Sequence, residues 1–225
     1  MGDKMKNKNI VETISQIKEN KIIAIIRGVS EEKIIPLCQA LYDGGIRLVE
    51  LTYSANKCIS DEQTAEQIKM LSTYFEGKLY VGAGTVITKK QVAYTKKAGG
   101  KFIISPNTDK KIIKATKRKG LVSIPGALTP SEALNAKIYG ADFVKLFPIN
   151  NLGVDYFKAV SVPLSHIDFI AVGGIDLNNM HDYLNANISG FGIGANITNK
   201  QMIENNDWPA IRKLAESYTA VIKNG

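Results

Sequence analysis

The chain has 225 residues, 44% of them hydrophobic and 22% charged, with 29 Lys and Arg against 21 Asp and Glu for a net charge of +8. That length and balance allow one or two domains with a full core, and exclude disorder, a collagen repeat and a disulfide scaffold. The basic excess leaves nucleic acid, a membrane surface or anionic substrates as partners.

The first 20 residues carry Lys and Asn and lack the apolar centre of a secretory signal. Residues 1–18 read as an N-terminal helical extension. Eight short apolar runs follow: IIAII (22–26), RLVEL (47–51), KLYVG (78–82), KFIIS (101–105), LVSIP (121–125), DFVKLF (142–147), DFIAV (168–172) and GFGIG (190–194). None approaches the ~18 residues of a membrane span, so no membrane is expected. Apolar runs of this kind read as parallel strands buried on both faces.

Between the runs lie helix signals. Ser30 is placed to cap a helix with Ile34, Leu37, Cys38, Leu41 and Tyr42 on one stripe, stopped by Gly44-Gly45, and Pro36 predicts a kink. Thr129-Pro130-Ser131-Glu132 combines a capping box with Pro at the first helical position, and Gly140 ends that helix. Asp176 precedes another helix, with Leu177, Met180 and Leu184 on one face. A final helix over 200–223 shows Ile211, Leu214, Ala215, Tyr218, Val221 and Ile222 at helical spacing.

Eight strand–helix units point to a single-domain α/β fold spanning 1–225, a (β/α)8 TIM barrel. A doubly wound sheet is the alternative, and it should show G-x-G-x-x-G after an early strand. Both candidates fail: Gly82-Ala83-Gly84 has Ile87 in the third glycine position, and Gly192-Ile193-Gly194 has Ile197. Cys38 and Cys58 form no C-x-x-C or disulfide framework, which fits a reducing cytoplasm. His166 and His181 have no metal-ligand spacing, so neither metal nor cofactor is expected.

In a barrel the chemistry lies at the C-terminal strand ends. Lys145 stands out there as a charge inside the apolar run Asp142 to Pro148. A lysine that points outward and snorkels is the plain alternative, but helices cover the outside of such a strand. A desolvated amine has a lowered pKa and can add to a ketone as a Schiff base. Glu50 is a carboxylate inside RLVEL. It reads either as an ion-pair partner of Arg27 or Arg47, or as a general acid/base. Gly173-Gly174 and Gly194-Ala195 follow the seventh and eighth runs. Glycines there either make tight turns or let backbone N–H groups approach a phosphate. Thr85 fits a helix cap, Phe147 the core or an apolar wall beside Lys145, and Pro106 the shape of a loop.

Taken together these residues resemble the family of 2-keto-3-deoxy-6-phosphogluconate / 4-hydroxy-2-oxoglutarate aldolases, class I aldolases on a (β/α)8 barrel. The resemblance covers roughly 10–222 and rests on IIAIIRG, GGIRLVELT, VGAGTV, FIISPN, IPGALTPSE, FVKLFP, AVGGI and GFGIGAN in that order. It implies Lys145 as the Schiff-base lysine and Glu50 as the acid/base residue. Arg27 and Thr85 would surround the pyruvate carboxylate, Pro106 and Phe147 would wall the pyruvyl group, and Gly173, Gly174, Gly194 and Ala195 would hold a distal phosphate. The substrate implied is a small phosphorylated keto acid, cleaved to pyruvate and an aldehyde. The enzyme implied is a metal-independent, cytoplasmic homotrimer.

Four positions depart from the pattern. Many members carry Arg at the place of Ser54 and Ser at the place of Ala195. Members acting on the gluconate-derived substrate often read P-T-G-G where this chain has Ala171-Val172-Gly173-Gly174, a sequence closer to members acting on the galactonate epimer. A metal-free sugar-phosphate isomerase or epimerase on the same barrel is the second reading. A non-catalytic binding protein using Lys110, Lys111, Lys114, Lys117, Arg118 and Lys119 is the third, although no aromatic interleaving or motif supports nucleic acid.

Overall fold

The computed structural model describes residues 2–54 and 59–224; Cys58 lies outside them. The described chain opens with helix α1 (Gly2–Asn20), then alternates β1 (Ile22–Ile26), α2 (Glu31–Asp43), β2 (Leu48–Thr52), α3 (Asp61–Tyr74), β3 (Tyr80–Gly84), α4 (Lys89–Lys97), β4 (Phe102–Ile104) and α5 (Lys110–Arg118). It continues with β5 (Val122–Ile124), β6 (Gly126–Ala127), α6 (Pro130–Tyr139), β7 (Val144–Leu146), α7 (Gly153–Ser161), β8 (Phe169–Val172), α8 (Met180–Asn185), β9 (Gly190–Ile193), α9 (Lys200–Glu204) and α10 (Trp208–Asn224).

Every strand pairing is parallel, and the hydrogen-bonded order is β5-β4-β3-β2-β1-β9-β8-β7-β6. The expected fifth strand is therefore two segments. Pro125 separates them because it has no N–H for the ladder. The two segments still close the ring. β5 pairs with β4 and β6 pairs with β7, while the Asp142 N–H donates to Ser123 O and the Lys145 N–H to Pro125 O, 3.0 and 2.9 Å. The result is a (β/α)8 barrel in a single domain, with its fifth strand broken at Pro125.

Two apolar layers hold it together. The outer one lies between strands and helices and includes Ala24, Val49, Val81, Ile103, Leu146 and Ile193. The inner one fills the barrel with Ile23, Leu48, Phe102, Ile104, Val122, Ile124, Phe143, Ile170 and Val172. Ile17 of α1 belongs to this inner layer and is fully buried. The N-terminal helix thus plugs the barrel floor. It is tied down by Lys18 to Asp168, 2.8 Å, and by Tyr80 donating to Glu12.

Two local expectations are corrected. The final stretch is two helices, because Asn206 takes a left-handed φ of 55° and Asp207 accepts from the Ala210 N–H to start α10. Ser30 precedes α2, but its hydroxyl donates to Glu32 and makes no side-chain cap bond. The helix it precedes runs unbroken through Pro36. The Thr129/Glu132 capping box and the left-handed Gly140, φ 106°, are as predicted. Among the described residues no helix is long and apolar enough to cross a membrane.

Candidate active site

Strand alternation decides which way each charged side chain points. In β7 and its ends, Phe143 packs in the inner layer and Phe147 against it, so Lys145 shares their inward parity. In β2, Leu48 is inward, and Glu50 follows it by two. Both charges therefore enter the barrel above its apolar floor, at the end where catalytic groups of such barrels collect. Lys145 is 8% exposed and Glu50 2%. The outward, snorkelling lysine is ruled out.

The electrostatics follow from that burial. Desolvation pushes the Lys145 amine below its usual range, and Arg27 pushes it further down, while Glu50 pulls it back up. Desolvation likewise raises the Glu50 carboxyl, opposed by Lys145 and by Arg27. Arg27 thus favours the combination of neutral amine and ionised carboxyl. The other cationic candidate near Glu50 is occupied elsewhere: Arg47 donates to the Tyr42 and Ile46 carbonyls and stacks 4.2 Å from the Tyr42 ring centroid. Oε2 of Glu50 is buried without a hydrogen-bond partner among the described residues, which leaves that oxygen open to a group outside the protein. The Lys145 Nζ sits 4.3 Å from the centroid of the Phe147 ring, so that ring walls the amine.

The remaining predicted positions divide into two groups. Thr85 follows Gly84 at the upper end of β3 in a left-handed conformation, φ 56°. Pro106 sits at the upper end of β4, its carbonyl packed so closely over Gly126 that a Cβ there would lie 2.3 Å from Pro106 O. Arg27, Gly194 and Ala195 line a cleft of about 520 Å³ between the ends of β1 and β9, with Ser30, Lys33 and Thr198. Gly173 and Gly174 are not part of that lining. Both have left-handed φ, 102° and 68°, and Gly174 lies so close to Asn150 that a Cβ would meet Asn150 Cβ at 2.5 Å. Asn196 Nδ2 donates to Ile175 O at 2.8 Å and ties the two glycine turns together.

Two residues escape the sequence reading. Gly84 directly underlies the Glu50 carboxyl. Its only signal is the glycine repeat in VGAG, which serves equally as a turn. Tyr53, fully buried, has its hydroxyl bonded to Thr95 Oγ1 and the Gln91 carbonyl, and its N–H donates to Gly84 O. It anchors the chain just beyond Glu50, and a tyrosine after a strand carries no such message by itself. The basic helix α5 lies on the outside. Its Lys117 pairs with Asp142 at 2.6 Å, and its Lys110 stands 5.4 Å from the Tyr139 ring. Among the described residues no three His, Cys, Asp or Glu side chains group as a metal site.

An amine and a carboxyl buried together at the mouth of a (β/α)8 barrel suit metal-free chemistry at a carbonyl, the class of site an aldolase needs. The KDPG and KHG aldolase family model matches residues 13–214, and the chain belongs to that family. It is 30% identical over 214 residues to the 2-dehydro-3-deoxy-phosphogluconate aldolase of Haemophilus influenzae, covering 94% of this chain and 97% of that one. It is 34% identical over 180 residues to a probable 2-dehydro-3-deoxy-6-phosphogalactonate aldolase of Rhizobium meliloti, covering 80% and 82%. Among solved structures, the KDPG aldolase of Legionella pneumophila with pyruvate captured as a covalent carbinolamine superposes with a TM-score of 0.81 at 28% identity, over 91% of this chain and 96% of that one.

Proposed function

We propose that this aldolase cleaves a 2-keto-3-deoxy-6-phospho sugar acid, of the gluconate or galactonate type, to pyruvate and glyceraldehyde 3-phosphate. Cleavage of 4-hydroxy-2-oxoglutarate to pyruvate and glyoxylate is the second reaction of the same site. The observation that carries the reading is the buried Lys145–Glu50 pair, with burial driving both groups toward their neutral forms.

In this reading the Lys145 amine adds to the C2 ketone, and loss of water gives an iminium. That cation draws electrons from the C3–C4 bond, which breaks as the C4 hydroxyl loses its proton and the aldehyde departs. The enamine left on Lys145 takes a proton at C3, and water then releases pyruvate. Glu50 is the group that moves protons at the carbinolamine and at C3. Arg27 and Thr85 receive the carboxylate, and Phe147 and Pro106 wall the pyruvyl group. The backbone at Gly173, Gly174, Gly194 and Ala195 receives the distal phosphate. Which C4 epimer is favoured turns on Val172, which offers a methyl where many relatives offer a hydroxyl. The cytoplasm and a homotrimer complete the proposal. Leu134 and Ile138, one turn apart on α6 and 40% and 65% exposed, support self-association, and light scattering in solution tests it.

The decisive experiment is incubation with pyruvate and borohydride followed by peptide mass spectrometry. A reduced pyruvyl adduct on Lys145 is expected. A folded protein that traps none, or traps it on another lysine, overturns the mechanism. Side-by-side assays of the two C4 epimers and of 4-hydroxy-2-oxoglutarate then rank the substrates.

A further inference from the structure

Beyond Tyr80, the two upper inward positions of β3 are glycines, and each gives up its side-chain volume to a neighbouring strand. A Cβ on Gly82 would lie 2.2 Å from the Phe102 ring of β4. A Cβ on Gly84 would lie 1.4 Å from Glu50 Oε1, 2.2 Å from its Cδ and 2.7 Å from its Cγ. All three distances fall far inside van der Waals contact. The carboxyl of Glu50 therefore occupies the space that any other residue at position 84 would fill.

Backbone conformation does not explain this glycine. Gly84 lies within β3 and is absent from the left-handed glycines, in contrast to Gly173 and Gly174. An alanine would suit its backbone, so the excluding group is Glu50 itself. Register adds the direction. Glu50 is paired across the sheet with Gly82, yet its carboxyl reaches Gly84, one inward step nearer the mouth. The place beside Gly82 is taken by the Phe102 ring from the opposite side.

We infer that Gly84 is a positioning residue for the reaction: its missing side chain forms the seat that carries the Glu50 carboxyl up to the level of the reacting carbons, and the Phe102 ring in the place of Gly82 keeps it from settling lower. The inference rests on the reading of Glu50 as the proton-moving group. Without the seat, the carboxyl would be displaced by more than the ~1 Å that can cost two orders of magnitude in rate.

The test begins with borohydride trapping on the unaltered protein. That step depends on Lys145, so failure of the parent reading is seen separately. Gly84→Ala, Glu50→Ala and the double variant Glu50→Ala/Gly84→Ala are then compared for kcat, KM, the pH dependence of kcat, exchange of the pyruvate C3 protons in deuterated water, and melting temperature. Gly84→Ala is expected to lower kcat and C3 exchange at least 100-fold with KM within threefold, and to remove the pH limb that Glu50→Ala also removes. In the Glu50→Ala background, Gly84→Ala is expected to change kcat less than threefold and to leave the melting temperature within a few degrees, because the group it strikes is gone. Wild-type kcat and pH profile in Gly84→Ala would overturn the inference. So would an equal cost in both backgrounds. If Gly84→Ala alone does not fold, the double variant decides: melting like Glu50→Ala supports the seat, and failure to fold overturns it.

Discussion

The barrel interior has two halves made by the same strands to opposite specifications. The lower half is packed with apolar side chains: Ile17 from α1, then Ile23, Leu48, Phe102, Val122, Phe143 and Ile170. The upper half, two residues further along the same inward faces, holds Glu50 on β2 and Lys145 on β7, with Arg27 at the end of β1. Burial stabilises the first half through the hydrophobic effect. In the second the same burial is a cost, borne by the fold and expressed as shifted proton affinities. Stability is concentrated at the floor and reactivity at the mouth, and substitutions in the two halves should separate the two properties.

The largest separation is expected at Lys145. Lys145→Met should lower turnover about 10⁴-fold or more and abolish borohydride trapping, since the nucleophile is gone. Its stability to urea should rise by about 1 kcal/mol, since an apolar chain of similar length replaces a desolvated amine. A marked loss of stability would show that Lys145 holds the barrel together.

Glu50→Gln should cost about 10²–10³ in kcat, within the usual range for a general acid/base. It also carries a stability signature whose sign is set by the direction of the shift. The folded carboxyl holds its proton above its ordinary value of 4.5, so the folded state binds more protons than the unfolded one as pH rises past that value. Stability from this group is present below that value and is lost as pH climbs through the raised folded value. Lys145 acts in the opposite sense, adding stability as pH rises from its lowered folded value toward its ordinary 10.5. Urea titrations across pH should therefore show a falling limb on the acid side that Glu50→Gln removes. An unchanged limb would mean that the carboxyl is ionised throughout.

At the floor the reverse pattern is expected. Ile17→Ala should cost about 2–4 kcal/mol, as for other buried aliphatic truncations, while kcat for the remaining folded protein stays within twofold. Urea melts and saturating-substrate assays measure the two separately. A fall in kcat as large as that of Glu50→Gln would show that the halves are coupled.

The smallest effect is expected at the rim. Ala195→Ser restores one hydroxyl to the cleft beside Arg27, and a single neutral hydrogen bond is worth about 0.5–1.5 kcal/mol. KM for a phosphorylated substrate should fall roughly two- to tenfold with kcat unchanged, and KM for 4-hydroxy-2-oxoglutarate should not move. Equal changes for both would place the hydroxyl away from the phosphate.

Much of this division was legible before the fold was known. Short apolar runs at regular spacing read as strands covered on both faces, and a charge inside one marks a candidate site, with snorkelling or ion pairing as the alternatives that burial then removes. The residues at strand ends were harder. Gly173-Gly174 and Gly194-Ala195 look alike in sequence, yet the first pair packs under Asn150 and the second opens on a cleft. The helix expected over 200–223 was broken by Asn206 and Asp207, whose capping chemistry outweighed the apolar periodicity around them.

The sequence by itself pointed to the barrel and singled out Lys145 and Glu50 as charges inside apolar runs, because strand–helix periodicity and a charge in such a run are local signals; which way each charge points waited on the strand pairing. Only the tertiary structure decided that the N-terminal helix is a floor plug, that Pro125 splits a strand without opening the ring, and that Gly84 is a seat for Glu50. Each of these depends on which distant segment fills a given volume, and a glycine's neighbours are set by the closure of the barrel.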